Sequence, residues 1–372
     1  MSLTASRSKS LSNLNLTAEP LVAPDPHRID SFSPTLINDL ASCGYQAAFR
    51  LDEKFKDLDR PNTFSSLGVV RHKIEEKVHS GELNDVEDSG LDDAIEELWE
   101  GAVAEAARRL TEAWAPVAPP SPEDWPGYQL ARARARVQLR RDVANFRQSR
   151  GSGDAPRVER WLEDKQLGLG GKPDRVEFRH GSPVVVDLKS GPTQEQIRPE
   201  QRRQLLLYAH LVAIRHGTTP ATIAIDTSTG KRYSEQITES DIADAVQGAV
   251  GLVNAFNDRL GDSFEPLANP SADTCRYCDY RSECRPFWSS LRRDWGQWSV
   301  RGKVTGAETV GSGTGVTIDV ESPPDWPSRT CSVAPVVHDI PPNSTNVAFV
   351  DAAWTVGWDK LRTSWSTIVR FW

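Results

Sequence analysis

Three features predict an α/β fold with an all-β C-terminal region. A β-hairpin pattern sits in the middle of the chain, helix and strand patterns alternate after it, and helical periodicity is lost from Trp295 onward. The hairpin lies in GGKPDRVEFRHGSPVVVDLKSGPTQEQIRPEQRRQLLLYAH, residues 170–210. Val176 and Phe178 alternate in its first arm, and Pro183–Leu188 is a β-branched run in its second. His180-Gly181-Ser182 between them is a turn signal. Asp187 and Lys189 are two apart on a strand and so share a face. Charged groups at the end of an apolar strand are costly unless they pair or bind something. Asp174, one hairpin away, supplies a second carboxylate that could share a hard cation with Asp187.

The elements before the hairpin read as helices. Ser33 is an N-cap with Pro34 at the first helical position, and SPTLINDLASCGYQAAFRLDEKF continues as one helix with Leu36, Ile37, Leu40 and Cys43 at helical spacing. Residues 63–76 form a second helix with Leu67, Val70 and Ile74 on one face and His72 beside it. Residues 91–113 are amphipathic through Leu91, Ile95, Leu98, Trp99, Val103 and Leu110, with acids in front and arginines behind, as the helix dipole favours. APVAPPSPEDWPG, residues 115–127, is an extended connector. Tyr128–Arg150 is helical and carries Arg132, Arg134, Arg136, Arg140, Arg141, Arg147 and Arg150. Such a face is either solvated surface or a track for phosphates, with Arg132, Arg136 and Arg140 as its candidate contacts. Glu159 and Glu163 precede the hairpin and are equal candidates for an upstream acid.

After the hairpin a helix runs from about Pro199 to His216, with Gln201, Gln204, Leu205 and Tyr208 on one face. Thr222–Asp226 reads as a strand, Gly230–Gln236 as its hairpin partner, and Glu239–Leu260 as a long helix opened by Thr238 or Ser240. Beyond Trp295 come short alternating runs with Gly and Pro turns, which predict a small barrel or sandwich. Seven of the chain's twelve tryptophans lie there, as core or, in an OB-like barrel, as stacking platforms for single strands.

Composition narrows the function. A chain of 372 residues with 38% hydrophobic and 26% charged residues suits a globular protein of one large or two smaller domains. No apolar run approaches the roughly 20 residues that span a bilayer, and the Ser-, Asn- and Pro-rich residues 1–30 lack a signal-peptide core. The expectation is a disordered tail on a cytoplasmic protein with no membrane contact. A net charge of −8 argues against coating nucleic acid over the whole surface, while leaving room for a local basic track. Cys275, Cys278 and Cys284 crowd into one Pro-bounded loop, which suits a metal or cluster better than a disulfide framework. Cys43 is the natural fourth donor, and Cys331 reads as core. Zinc and iron–sulfur both suit four thiolates.

In this order and spacing, Gly171-Lys172-Pro173-Asp174, Asp187-Leu188-Lys189 and Gln204-Leu205-Leu206-Leu207-Tyr208 resemble the PD-(D/E)XK nuclease superfamily, closest to its RecB-like branch. The resemblance implies a central mixed sheet flanked by helices over residues 31–290, a helical insertion at about 85–150, and a β-rich domain of another kind over 291–372. It implies Mg²⁺ or Mn²⁺ held by Asp174, Asp187, His72 and the Leu188 carbonyl, with Lys189, Gln204 and Tyr208 completing the catalytic set. His72 enters because Gly68 and His72 stand at the family's Gly-x-x-x-His spacing; on its own, a lone histidine is more often structural. The cysteine arrangement resembles that of iron–sulfur RecB-like nucleases, such as AddB-type helicase–nuclease subunits and CRISPR adaptation nucleases. That resemblance implies a [4Fe–4S] cluster on Cys43, Cys275, Cys278 and Cys284, although Gly44 stands where those proteins often have proline. The implied activity is hydrolysis of DNA ends or single strands in repair, recombination or defence. Its alternative is a non-cleaving nucleic-acid-binding or structural subunit of a helicase–nuclease or defence complex.

Overall fold

The computed structural model describes residues 21–115, 117–149, 161–179, 181–189, 196–227, 230–311, 313–336, 340, 344–354 and 359–372. Residues 1–20 of the expected tail, His180 of the turn, Val158, Glu159 and Arg150 lie outside them. Among the described residues no helix is long and apolar enough to cross a membrane. The chain divides into one compact unit at Pro24–Asn269 and another made of Pro270–Trp372 with the segment up to Ala23.

The first unit is built around a four-stranded mixed sheet. Its strands are β3 (Arg175–Arg179), β4 (Ser182–Lys189), β5 (Thr222–Thr227) and β6 (Arg232–Gln236), in the order β3-β4-β5-β6. They follow β1 (Leu162–Asp164) and β2 (Leu169–Gly171), an antiparallel ribbon of their own. β3 and β4 form the expected hairpin, with Arg175 opposite Val186 and Arg179 opposite Ser182. Gly181 takes φ +80, which the tight turn demands and a β-carbon would oppose. β4 runs parallel to β5, with Asp187 opposite Ile225. Inner strands between covered faces read as continuous apolar runs, and Pro183–Leu188 is buried at every position.

Helices cover this sheet. They are α1 (Pro34–Ser42), α2 (Gly44–Leu51), α3 (Thr63–His79), α4 (Leu91–Trp114), α5 (Tyr128–Ser149), α6 (Pro199–His216) and α7 (Glu239–Asn257). α6 connects β4 to β5 and packs on both strands, on α1 and α7, and on the β1–β2 ribbon. Pro199 opens it, and Gly217 at φ 68 closes it in the left-handed conformation of a helix C-terminus. The Thr238–Asp241 capping box opens α7. α3, α4 and α5 pack on one another, with Trp99 Nε1 donating to Tyr128 Oη at 3.1 Å in their midst.

Two local expectations need correction. The helix expected to run through Cys43 is broken there. Cys43 is extended (φ −160, ψ 102), ending α1 and preceding α2. Gly44, the first residue of α2, lies where a β-carbon would stand 2.9 Å from Leu267 Cβ. The connector at 115–127 also holds a short 3₁₀ turn, Pro122–Asp124, beside the buried Trp125.

The second unit carries α8 (Ala272–Cys275) and α9 (Arg285–Ser290), then β7 (Val300–Val310), β8 (Gly313–Ser322), β9 (Thr330–Val336), β10 (Asn346–Val350), β11 (Ala353–Trp354), β12 (Lys360–Arg362) and β13 (Ile368–Phe371). The strands form one sheet in the order β11-β12-β9-β8-β7-β10-β13. This is the all-β C-terminal region that the sequence predicts. Val300, Ile318, Val333, Phe349 and Cys331 fill its core, so Cys331 is the core residue expected. Trp298 and Trp326 pack against that core.

A buried side chain fixes the start of the first unit. Asn257, at the end of α7, accepts from Ile29 N at 2.9 Å and donates to Ile29 O at 3.0 Å across 228 residues. Asn257→Ala leaves both backbone groups without these partners and is expected to cost about 2 kcal/mol. The exposed Asn254 serves as control, since Asn254→Ala should stay within about 0.5 kcal/mol of the parent. Urea unfolding checks both, and an unshifted midpoint in Asn257→Ala would contradict this account.

Candidate active site

The site forms where β4 ends. Alternation puts Asp174, Val185, Asp187 and Lys189 on one face of the β3–β4 hairpin, and α3 and α6 bring side chains to that end. The Leu188 N–H donates to Asp174 Oδ2 at 2.8 Å, so the backbone of β4 itself orients the first carboxylate. Asp187 is buried, and burial pushes its carboxyl up to about 6. Burial raises Asp174 as well. Lys189 Nζ stands 2.8 Å from Asp187 Oδ2. The approach is off-axis, so that oxygen has a cation beside it and no aligned hydrogen-bond donor. His72 projects from α3 with Nδ1 3.5 Å from Asp174 Oδ1, longer than a good hydrogen bond. Burial lowers its pKa, so the ring is neutral near pH 7 and keeps one nitrogen as an acceptor.

α6 supplies the remaining predicted pair. Tyr208 hydrogen-bonds with Gln204, and burial pushes its phenol up to about 12, with the charges of Asp174 and Asp187 adding to the shift. The phenol therefore remains a proton donor at neutral pH. Its ring lies against Gly171, where a β-carbon would meet Tyr208 Cε1 at 2.9 Å. Glycine at this position lets the ring approach the strand that leads to Asp174.

Sequence reasoning missed three contributors. Arg71 donates through Nη1 to the Lys189 carbonyl at 3.1 Å and through Nε to Glu75 Oε1 at 2.7 Å, tying α3 to the end of β4. Glu75 is buried, its pKa is raised by that burial, and its Oε2 has no hydrogen-bond partner. Its place three residues after His72 was the one available signal, and charged helix faces repeat such spacings often. The third is His210, whose Nε2 lies 2.8 Å from Asp164 Oδ2 and fixes the β1–β2 ribbon to α6. Glu163, the described one of the two upstream acids, is exposed on β1.

The arginines of α5 have acidic partners on α4, which the sequence reading did not find. Arg132 Nε donates to Glu96 at 2.7 Å, Arg140 donates to Asp92 at 3.0 Å, and Arg136 pairs with the same Asp92. Arg147 pairs with Asp88 at 2.7 Å, just ahead of α4. Their guanidinium charges serve helix–helix contact at least in part.

Two carboxylates and strand-end carbonyls are the oxygen donors a hard divalent cation takes, and a neutral imidazole is a donor that transition metals favour. The buried, unaligned Asp187 Oδ2 fits such an ion. Among the described residues, however, no three His, Cys, Asp or Glu side chains are gathered as a ready ligand set. This holds for the cysteines too. Cys275, Cys278 and Cys284 follow one another through tight turns, with Cys278 N donating to Cys275 O at 3.2 Å and Cys284 N to Arg281 O at 3.2 Å. The Arg281 guanidinium braces the loop, donating to Cys278 O at 2.7 Å and to Asp351 at 2.6 and 2.8 Å. Cys43 belongs to the first unit and these three to the second.

A family model described as the PD-(D/E)XK nuclease superfamily matches residues 31–285. A solved structure titled "Crystal structure of SSO0001" is similar over 57% of this chain and 94% of that chain, at 14% identity and a TM-score of 0.25. No curated protein matches.

The elevated Asp187 carboxyl has a consequence for stability without metal. Its folded value of about 6 exceeds that of an exposed aspartate, about 3.9. Protonation therefore favours the fold, a contribution that is full below about pH 4 and lost as pH rises through about 6. With EDTA present, Asp187→Asn should be more stable than the parent at pH 8 by on the order of 1–3 kcal/mol, and the gap should narrow toward pH 4. Thermal unfolding across that range checks it. A gap independent of pH would assign the effect to something other than this carboxyl.

Proposed function

The chain belongs to the PD-(D/E)XK nuclease superfamily, and from that premise we propose that it is a divalent-metal-dependent deoxyribonuclease of the RecB-like branch. Members of this superfamily are usually nucleases that use divalent metals, which implies a nucleic-acid substrate. The observation that carries the reading is the group of Asp174, Asp187, Lys189 and His72 at the end of β4, where burial raises both carboxyls.

In this reading Asp174, Asp187, His72 and the Leu188 carbonyl hold Mg²⁺ or Mn²⁺. Bound there, the ion would lower the pKa of a water and neutralise charge on the scissile phosphate. The protein's own part is positioning and charge. The Leu188 N–H keeps Asp174 turned inward, and the burial that strains both carboxylates supplies affinity for a cation. The Lys189 ammonium is placed to orient the attacking water or to stabilise charge growing on the phosphate. Arg71 holds the strand end that carries it. The Tyr208 phenol, braced by Gln204, donates a hydrogen bond at the rim.

We assign this activity to residues 31–290, with the helical insertion at about 85–150, acting in the cytoplasm on DNA ends or single strands in repair, recombination or defence. Arg132, Arg136 and Arg140 would add phosphate contacts with the half of their surface that solvent reaches. Residues 291–372 would be a β-rich domain that contacts single strands. A [4Fe–4S] cluster on Cys43, Cys275, Cys278 and Cys284 is supported by the spacing of the thiols and by the family resemblance alone, and we give it a structural role.

Lys189→Ala should reduce cleavage of end-labelled DNA by several orders of magnitude while leaving the unfolding midpoint within about 1 kcal/mol, since Lys189 is a third exposed and the buried Asp187 can protonate. Wild-type cleavage by this variant would refute the active-site assignment.

Protein purified without oxygen should be brown. Cys43→Ala should lose the colour, and Cys331→Ala should keep it. A colourless preparation with stoichiometric zinc would replace the cluster with the simpler metal.

A further inference from the structure

We propose that the exposed indole of Trp161 is a stacking platform for an unpaired base of single-stranded DNA, a subsite beside the catalytic carboxylates. The inference rests on the nuclease reading and gives it a substrate preference. Trp161 precedes β1 and is 64% exposed, although it is the largest kind of side chain and its neighbour Leu162 is buried. The ring is nevertheless not loose. It lies on Gly170, where a β-carbon would stand 2.7 Å from Trp161 Cζ2 and 3.1 Å from Cε2 and Nε1. Part of the indole rests on the Gly170 backbone, and the exposed remainder is what a planar ligand would meet.

The surroundings point to a nucleotide. The β1–β2 register pairs Leu162 with Gly171, so Trp161 is level with Lys172. Lys172 is two residues from Asp174, a span of at most about 7 Å. Its ammonium reaches Glu76 on α3 at 2.6 Å, and Glu76 lies one turn beyond His72. The face shared by Trp161 and Lys172 therefore looks toward the helix that bears His72. An aromatic surface for a base and a cation for the adjoining phosphate are the two elements of sequence-independent single-strand binding, and Lys172 would serve as the cation by exchanging Glu76 for the phosphate. The platform is also held in place from behind. Tyr208 presses on Gly171, and His210 grips Asp164 at 2.8 Å, so the ribbon that presents Trp161 is fixed to the same helix that borders the active site.

The test measures binding without cleavage. Fluorescence anisotropy of a labelled oligothymidylate, with Ca²⁺ in place of Mg²⁺, should show Trp161→Ala binding about 5- to 100-fold more weakly than the parent, with Trp161→Phe recovering most of the loss. Gly170→Ala, which displaces the ring without removing it, should also weaken binding. Affinity for a blunt duplex should change less than twofold in all three. The proposal is overturned by parent-like binding in Trp161→Ala, by a Phe variant as weak as the Ala variant, by an equal loss for duplex, or by a parent that binds no single strand. Each of these outcomes leaves the nuclease reading to its own test, because cleavage by the parent and its loss in Lys189→Ala are read with Mg²⁺ on either substrate.

Discussion

The site depends on a charge problem at the end of β4. An inner strand covered on both faces must be apolar along its length, and Pro183–Leu188 satisfies that except at Asp187. The carboxylate sits within the buried run, relieved by the off-axis ammonium of Lys189. Burying a charge is expensive unless it is paired or binds a cation. The fold tolerates Asp187 because the surrounding sheet and helices determine the strand's position many times over. Asp174 adds a second carboxylate to the same volume, and the Leu188 N–H prevents it from turning out to water.

The opposite face of the sheet handles charge in another way. Arg175, Glu177, Asp226 and Arg232 alternate with the positions that face Asp187, and they neutralise one another. Arg232 donates to both oxygens of Glu177 at 2.7 and 2.8 Å and to Asp226 at 2.6 Å, while Arg175 pairs with Asp226 and Glu177. The arginines hold Glu177 and Asp226 below the usual carboxylate range despite burial. Asp174 and Asp187, on the other face, are raised. Two faces of one sheet thus carry acids with opposite perturbations, and of these four acids only Asp187 keeps a buried oxygen without an aligned donor. Environments that push carboxyl groups apart in this way separate structural acids from reactive ones.

Much of this was legible in the sequence because it depends on local pattern. The hairpin, its glycine turn, the two helix-opening prolines and the Thr238 cap are written in neighbouring residues, and the structure has them where the periodicity places them. The grouping of Asp174, Asp187 and Lys189 at one strand end was legible through the order of three short motifs. What could not be read was pairing across long separations. Glu96 and Asp92 meet Arg132, Arg136 and Arg140 only because α4 and α5 pack antiparallel to the charge pattern of each. In the sequence those arginines look unmatched. The break at Cys43 is of the same kind. Gly44, the next residue, packs against Leu267 more than two hundred residues away, a contact its neighbours do not announce.

α6 shows how one element can serve packing and chemistry together. Leu205, Leu207, Leu211 and Val212 are fully buried and would suit any helix laid on a sheet. Between them Tyr208 reaches Gly171 and the field of the two aspartates, and His210 reaches Asp164. A helix seated by four aliphatic side chains has little freedom to rotate, so its polar side chains inherit that rigidity. The β1–β2 ribbon, only three residues per strand, could not hold its own position in water. It is held by α6, and it delivers the chain directly into Asp174. Displacing α6 would therefore disturb Asp174 from two directions, through the ribbon that precedes it and through the Tyr208 ring that lies against Gly171.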